Sequence, residues 1–194
     1  SKGAPTQEEV EKYQTAVLRF LGKKYAERGW VMQLHYGILR DMNSKMAAGL
    51  GSGAGFDCIS ASSDGEGLAL LLDLLSREEA LPKTVVSSMN PSDQVVIGSI
   101  LGAFQTEDEG HLQLGPSWWI NQTPLGIRAQ LGYMASLGII GTAIGFSTDA
   151  RSALFWPRHE YYRRILCDAL ASLVEEGLYP SDKDALGRLI RDVC

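Results

Sequence analysis

The chain has 194 residues, 45% of them hydrophobic and 21% charged, and a formal net charge of -5. This is enough chain to bury a real core as one domain, with the composition of an ordinary globule. An acidic balance without a basic block or an aromatic-rich basic face argues against nucleic acid as a partner, and no apolar run is long enough to span a bilayer.

The N-terminal stretch Ser1-Lys-Gly-Ala-Pro-Thr6 does not read as a signal peptide. Cys58, Cys167 and Cys194 are far apart and odd in number. They form no metal-type pair and no disulfide framework, so a reducing cytoplasm is the simplest expectation. None has an activating neighbour, which makes them small packing or surface residues rather than nucleophiles.

Thr6-Gln-Glu-Glu9 is a capping box, and Val10, Tyr13, Val17, Phe20, Leu21 and Tyr25 recur behind it at helical spacing. The helix ends near Arg28-Gly29, where glycine suits the left-handed cap. Trp30 to His35 is a short apolar strand. A polar turn and a glycine run, Gly49 to Gly55, follow. The run lacks both a Gly-Lys-Ser/Thr ending and dinucleotide spacing, so it reads as a flexible loop over a site rather than a phosphate cradle. Asp64 caps a helix with Leu68, Leu71, Leu72 and Leu75 on one stripe. Leu81 to Ser88 is the second strand. Asn90-Pro91 is an N-cap with proline at the first helical position, ahead of Val96, Ile97, Ile100, Leu101 and Phe104. His111 to Trp119 is the third strand and its exit. Thr123-Pro124 opens a helix bearing Ile127, Leu131 and Met134. Ile139 to Phe146 is the fourth strand. Trp156-Pro157 then starts a helix with Tyr162, Ile165, Leu166, Ala169 and Leu173, and Ser181 begins a last one with Leu186, Leu189 and Ile190.

A helix followed by four strand–helix units predicts an α/β fold with a parallel sheet and right-handed crossovers over the single region 1–194. The pattern suits half of an eight-stranded barrel as well as an open doubly wound sheet. In both, the carboxyl ends of the strands share one mouth. His35, Ser87-Ser88 with Asn90, Trp118-Trp119 with Asn121, and Asp149 with Arg151 all fall at such ends.

Asp149 can ligate a metal or move a proton, and Arg151 can grip a carboxylate through two hydrogen bonds. The same spacing also suits a buried ion pair in a plain scaffold. His35 can be a ligand, a proton shuttle or a donor to a sugar hydroxyl. Trp118 and Trp119 are core residues or the wall of a sugar site. Arg40 faces a substrate carboxylate or pairs with Asp41 or Asp57. His111 is expected in a solvated surface turn, and His159 is expected to be structural. Ser87 and Ser88 lack a His-Asp partner pattern for a serine nucleophile. The three histidines form neither a His-x-His nor a helical i, i+4 pair, which excludes a closed structural zinc site.

Several segments resemble uronate isomerase, the glucuronate/galacturonate isomerase family, and occur in that family's order. They are Met32-Gln-Leu-His35-Tyr-Gly-Ile-Leu-Arg40, Gly55-Phe-Asp57, Leu81-Pro-Lys-Thr84, Asn90-Pro91, Gly115-Pro-Ser-Trp118-Trp119, Ser-Thr-Asp149-Ala-Arg151-Ser and Pro157-Arg-His-Glu-Tyr-Tyr-Arg-Arg-Ile-Leu-Cys167. The resemblance covers the family's C-terminal part. It implies the second half of a (β/α)8 barrel of the amidohydrolase superfamily, with the N-terminal half outside this chain. It also implies an aldose–ketose isomerase acting on small-molecule uronates, homo-oligomeric as the full-length protein, with this fragment inactive alone. One divalent ion, expected to be zinc, would be held by Asp149 and by ligands outside this chain. Arg151, Arg40, Trp118 and Trp119 would contact substrate, and Asp149, Arg151 and His35 would take part in catalysis.

The chain departs from the family in three ways. It contains no His-x-His, Asp-Ser-Arg reads Asp149-Ala150-Arg151, and Trp-Trp-Phe-Asn-Asp reads Trp118-Trp-Ile-Asn-Gln122. Other readings are a metal-dependent hydrolase of the same superfamily, which the lack of histidine in Thr84 to Met89 disfavours in its two-metal form, and a non-catalytic sugar-binding or assembly module.

Overall fold

The computed structural model describes residues 3–61, 64–108, 110–148, 150 and 152–194. Helix α1 (Gln7–Glu27) starts at the capping box: Thr6 Oγ1 accepts the Glu9 N–H, and the Glu9 carboxylate accepts the Thr6 N–H at 2.8 Å. That bond holds the Glu9 carboxyl below its ordinary pKa. Gly29 closes the helix at φ 65°, a left-handed conformation that costs glycine little. The apolar stripe of α1 differs from its expectation. Tyr13 is 71% and Phe20 58% exposed, because the helix leans on its neighbour chiefly through Gly22, where an added Cβ would lie 2.8 Å from Leu75 Cδ1.

Strand β1 (Met32–Tyr36) opens the sheet and is followed by an excursion that the sequence pattern does not announce. Strand β2 (Ile38–Leu39) pairs antiparallel with β3 (Cys58–Ile59), and helix α2 (Ser44–Leu50), capped by Asn43, lies between them. Helix α3 (Gly65–Arg77) begins as expected on Asp64, which accepts the Gly67 N–H at 2.9 Å, and buries Leu68, Leu72 and Leu75. Strand β4 (Thr84–Ser88) follows, then helix α4 (Asp93–Ala103). Asn90 is not the N-cap of α4. Its side chain accepts the Ser92 N–H at 3.0 Å in a turn that delays the helix to Asp93.

Strand β5 (Leu112–Leu114) precedes helix α5 (Pro124–Leu137), whose cap Thr123 accepts the Gly126 N–H at 3.1 Å. Helix α6 (Arg158–Glu175) follows Pro157 directly. Helix α7 (Lys183–Val193) is capped by Asp182 rather than Ser181. The Asp182 carboxylate accepts the Asp184 and Ala185 N–H groups, bonds that hold it below its ordinary pKa.

The sheet is parallel, in the order β1-β4-β5, with Met32 opposite Thr84 and Thr84 opposite Leu112. Among the described residues it has three strands, not four. The expected fourth, Ile139–Phe146, is a 3-10 turn over Ile140–Thr142 followed by backbone that joins no ladder among the described residues. Side chains replace the missing ladder bonds. Gln113 Oε1 accepts the Ile144 N–H at 2.9 Å, and Gln122 Nε2 donates to the Ser147 carbonyl at 2.5 Å.

The strands enter the sheet in chain order, and each helix packs on the next: α1 on α3, α3 on α4, α4 on α5, α5 on α6, α6 on α7. Val86, Leu112 and Leu114 from the sheet meet Leu72, Ile97, Leu101, Ile127, Leu131 and Leu166 from the helices in one core. Strand alternation puts Gln33, His35, Val85, Ser87 and Gln113 on the opposite face.

Candidate functional site

The carboxyl ends of β1, β4 and β5 point the same way, and the loops leaving β1 and β5 meet there. Beyond β1 the chain turns at Gly37, φ 82°, where an added Cβ would lie 2.5 Å from Ser88 Oγ; only glycine fits both the angle and the space. That turn starts β2, which delivers Arg40. Arg40 Nη1 lies 3.1 Å from the carboxylate of Asp57, whose side chain is 1% exposed, so of the two expected carboxylate partners Asp57 is the one used. The other Asp57 oxygen accepts the Asp41 N–H at 2.8 Å. Asp41 in turn ties down the glycine-rich loop, accepting the Ser52 hydroxyl at 2.5 Å and the Gly53 N–H at 3.2 Å. The Ser52 hydroxyl, then the Gly53 N–H, hold the Asp41 carboxyl below its ordinary value.

From the β5 side come the tryptophans. Trp119 adopts φ 46°, an uncommon backbone angle for a bulky residue, and the turn that holds it is braced from two sides. Ser117 Oγ donates to the Asn121 carbonyl at 2.8 Å, and Asn121 Nδ2 donates to the Met89 carbonyl at 2.6 Å. The result is a row of rings: His35 4.4 Å from Trp118, Trp118 6.1 Å from Trp119, and the Arg40 guanidinium 5.2 Å from the Trp119 ring. Cation–π contact and the Asp57 carboxylate together fix Arg40.

The third wall comes from α6. Arg158 Nη1 donates to Gln122 Oε1 at 2.9 Å, and its guanidinium lies 5.1 Å from the Phe155 ring. These groups enclose a pocket of about 550 Å³ lined by Arg40, Gly53–Gly55, Trp118, Trp119, Gln122, Thr148, Phe155 and Arg158. A volume in this range suits a small polar ligand. A second cavity of about 330 Å³ lies between α4, β5 and the end of α5, and none of its described lining residues is charged.

Of the residues singled out from sequence, Arg40, Trp118 and Trp119 line the pocket, and His35 adjoins it through Trp118. Asp149 and Arg151 lie outside the described residues; their neighbour Thr148 is in the pocket wall. The strand-end polar groups of β4 do not open into it as expected. Ser88 is buried, donating to Asp93 at 2.5 Å and accepting the Asn90 N–H at 3.0 Å, and Ser87 is buried under Gly115.

His111 is not solvated. Its Nε2 lies 3.2 Å from the Leu81 carbonyl and its side chain is 14% exposed. His159 is structural, packed edge-on against Phe146 at 5.7 Å. Sequence reasoning missed Gln122 and Arg158 as one unit. Both were in view, one ending the double-tryptophan motif and the other following Pro157, but their partnership spans 36 residues. Among the described residues no group of three or more His, Cys, Asp or Glu can hold a metal ion.

Comparison with known proteins bears on the whole length. The sequence profile of the glucuronate isomerase family matches residues 1–194. A uronate isomerase of Clostridium acetobutylicum is 45% identical over 188 residues, covering 96% of this chain and 40% of the relative. One from Halalkalibacterium halodurans is 43% identical over 190 residues, covering 97% and 40%. The chain thus spans about two-fifths of the length of these relatives. Among solved structures, a uronate isomerase of Thermotoga maritima superposes with a TM-score of 0.85 at 31% identity, over 100% of this chain and 41% of that one. A glucuronate isomerase of Caulobacter crescentus does so with a TM-score of 0.85 at 26% identity, over 99% and 39%.

Proposed function

The chain belongs to the glucuronate isomerase family, and from that membership we propose that the full polypeptide carrying it interconverts aldose and ketose uronates, glucuronate with fructuronate and galacturonate with tagaturonate. This chain supplies the C-terminal half of a (β/α)8 barrel of the amidohydrolase superfamily. Strands added in chain order and helices packed in sequence support that half-barrel rather than a doubly wound sheet.

The observation that carries the functional reading is the pocket itself, where two arginines and two indoles meet at the strand ends. A guanidinium recognises a carboxylate, and an indole face covers the apolar face of a sugar. The reaction is a proton transfer. A base takes the C2 proton, the C2–H electron pair forms the C1=C2 bond of an enediol, and the aldehyde oxygen takes a proton. The C2 hydroxyl then loses its proton as the ketone forms, and C1 gains the hydrogen, so atoms and electrons balance without an oxidant. Asp149 is the proposed base or metal ligand, Arg151 steadies the enediolate or the carboxylate, and His35 relays or donates a proton at the sugar hydroxyls.

The protein works in the cytoplasm, consistent with its free cysteines Cys58, Cys167 and Cys194. It does so as a homo-oligomer, and the exposed apolar side chains Tyr13, Phe20 and Trp30 support burial against the rest of the polypeptide or a second copy. Among the described residues no helix is long and apolar enough to cross a membrane. The test is isomerase turnover of glucuronate and galacturonate by the full polypeptide, with and without chelator, beside Asp149→Asn. Loss of turnover in the variant and on chelation is expected. A folded, metal-loaded parent that turns over neither sugar acid overturns the reading.

A further inference from the structure

The excursion between β1 and α3 is a narrow neck carrying a loose head. The neck is zipped along its length. The Ser60 N–H donates to the Gly37 carbonyl at 2.9 Å, β2 pairs with β3, and the Met42 N–H donates to the Phe56 carbonyl at 2.8 Å. The head is α2 with the glycine run. Helix α2 buries none of its side chains, and a Cβ added at Gly49, Gly51, Gly53 or Gly55 would meet nothing within 4 Å. Packing therefore does little to hold the run over the pocket. The Asp41 carboxylate ties it to the neck, through the Ser52 hydroxyl at 2.5 Å and the Gly53 N–H at 3.2 Å. Asp41 itself stands at φ 53°, in the left-handed region, where a residue other than glycine is strained. Its N–H is held at 2.8 Å by one oxygen of Asp57. The other Asp57 oxygen lies 3.1 Å from Arg40 Nη1.

We infer that Asp41 and Asp57 are positioning residues that couple the glycine run to Arg40, so that the loop over the pocket and the arginine in its wall are placed together. The coupling follows from the burial of Asp57. Its side chain is 1% exposed, and among the described residues Arg40 is its one ion-pair partner. A buried carboxylate stripped of its cation takes a proton or swings toward another partner. Either change disturbs the oxygen that anchors the Asp41 N–H, and Asp41 passes the disturbance to Ser52 and Gly53. The effect is reciprocal: a loop pulled off Asp41 loosens the anchor of Arg40. Among the described residues no hydrogen bond or ion pair joins Arg40 to the glycine run directly, so the bonded path between them runs through the two carboxylates.

The experiment is amide hydrogen exchange, read by mass spectrometry over Gly51–Gly55 in the full polypeptide and its variants, with thermal midpoints to establish that each is folded. Arg40→Gln should speed exchange in the glycine run by roughly tenfold, the worth of one hydrogen bond, although the substituted side chain makes no bond to it. Asp57→Asn should do the same, and the double variant should add nothing further. Arg40→Lys, which keeps a cation beside Asp57, should restore most of the protection. Arg158→Gln, in the pocket wall but outside this chain of bonds, should leave the loop at the parental rate. A parental rate in Arg40→Gln overturns the inference. So does an equal rise in Arg158→Gln, which would mean that the pocket loosens as a whole.

Asp41→Gly tests the link from the other end. Glycine accepts φ 53° without strain, keeps the N–H that Asp57 holds, and removes both loop bonds. Calorimetric binding of D-glucuronate to this variant should weaken by roughly fivefold. Parental affinity beside a freed loop overturns the inference. The inference rests on the proposed function only for that choice of ligand. A parent that neither binds nor isomerises glucuronate would sink the isomerase reading alone, because the exchange rates decide this inference without turnover.

Discussion

Strands β1 and β4 lie side by side in one sheet, in register from Met32–Thr84 to Tyr36–Ser88, yet they live in different surroundings. All five residues of β4 are buried, whereas in β1 Gln33 and His35 are exposed on the face away from the helices. The difference lies in what stands beside each. β4 has a strand on both sides and α4 against it, while among the described residues β1 has one neighbour only. The middle of this sheet is completed by the chain's own residues and its margin is not. His35 sits on that margin, and the pocket residues Arg40, Trp118 and Trp119 lie in the loops above the strand ends, where polar side chains need not be spent on packing.

The contrast can be broken most directly in the core. Leu72 and Ile97 are fully buried, and Leu72→Ala or Ile97→Ala should destabilise the protein by about 2–5 kcal/mol. Phe20→Ala, on the exposed face of α1, should cost no more than about 0.5 kcal/mol. Denaturant unfolding measures both, and an equal cost at Phe20 would mean that the outer face of α1 is packed in solution.

A smaller effect is expected at the carboxyl end of β4. Ser88→Ala removes the hydroxyl that serves buried Asp93 and the Asn90 N–H, and should cost about 1–3 kcal/mol by the same measurement. Thr6→Ala should cost about 1 kcal/mol, with faster amide exchange confined to the first turn of α1.

The smallest effect concerns pH. Asp182 is held below its ordinary pKa by the two N–H groups it caps, so its contribution is whole above the ordinary carboxylate value and is lost as pH falls through the lowered one. Asp182→Ser, a cap that does not titrate, should flatten the acid limb of the thermal midpoint. An unchanged limb would show that the cap is not coupled to folding.

What could be read in advance divides along the same line. Caps at Thr6, Asp64 and Thr123 announce their helices because each satisfies orphan N–H groups locally, within three residues. Leu68, Leu72 and Leu75, or Ile127, Leu131 and Met134, announce a buried face by period alone. Trp118 and Trp119 were legible as pocket residues because they stand just past a strand end, whereas Arg40 was legible only as a cation that faces a substrate carboxylate or pairs with Asp41 or Asp57.

The rest depends on partners distant in sequence. The apolar run at Ile139–Phe146 looks like a strand, but hydrophobicity cannot say whether a ladder partner stands beside it. Strands β2 and β3 have two residues each, too few to show any period. The Tyr13–Phe20 stripe is periodic, but periodicity alone cannot say which surface it covers.

The two glutamine side chains at 113 and 122 stand where a sheet would use backbone. Backbone ladders are nearly indifferent to which residues they join, so mutation seldom shifts them. An amide peg is different, because it is inherited as a single codon. The segment leading to Asp149 and Arg151 is therefore held partly by two replaceable side chains, beside the buried Ile140 and Ala143 and the Phe146 ring stacked on Tyr162. Amide exchange at Ile144 would show how tightly the Gln113 peg holds.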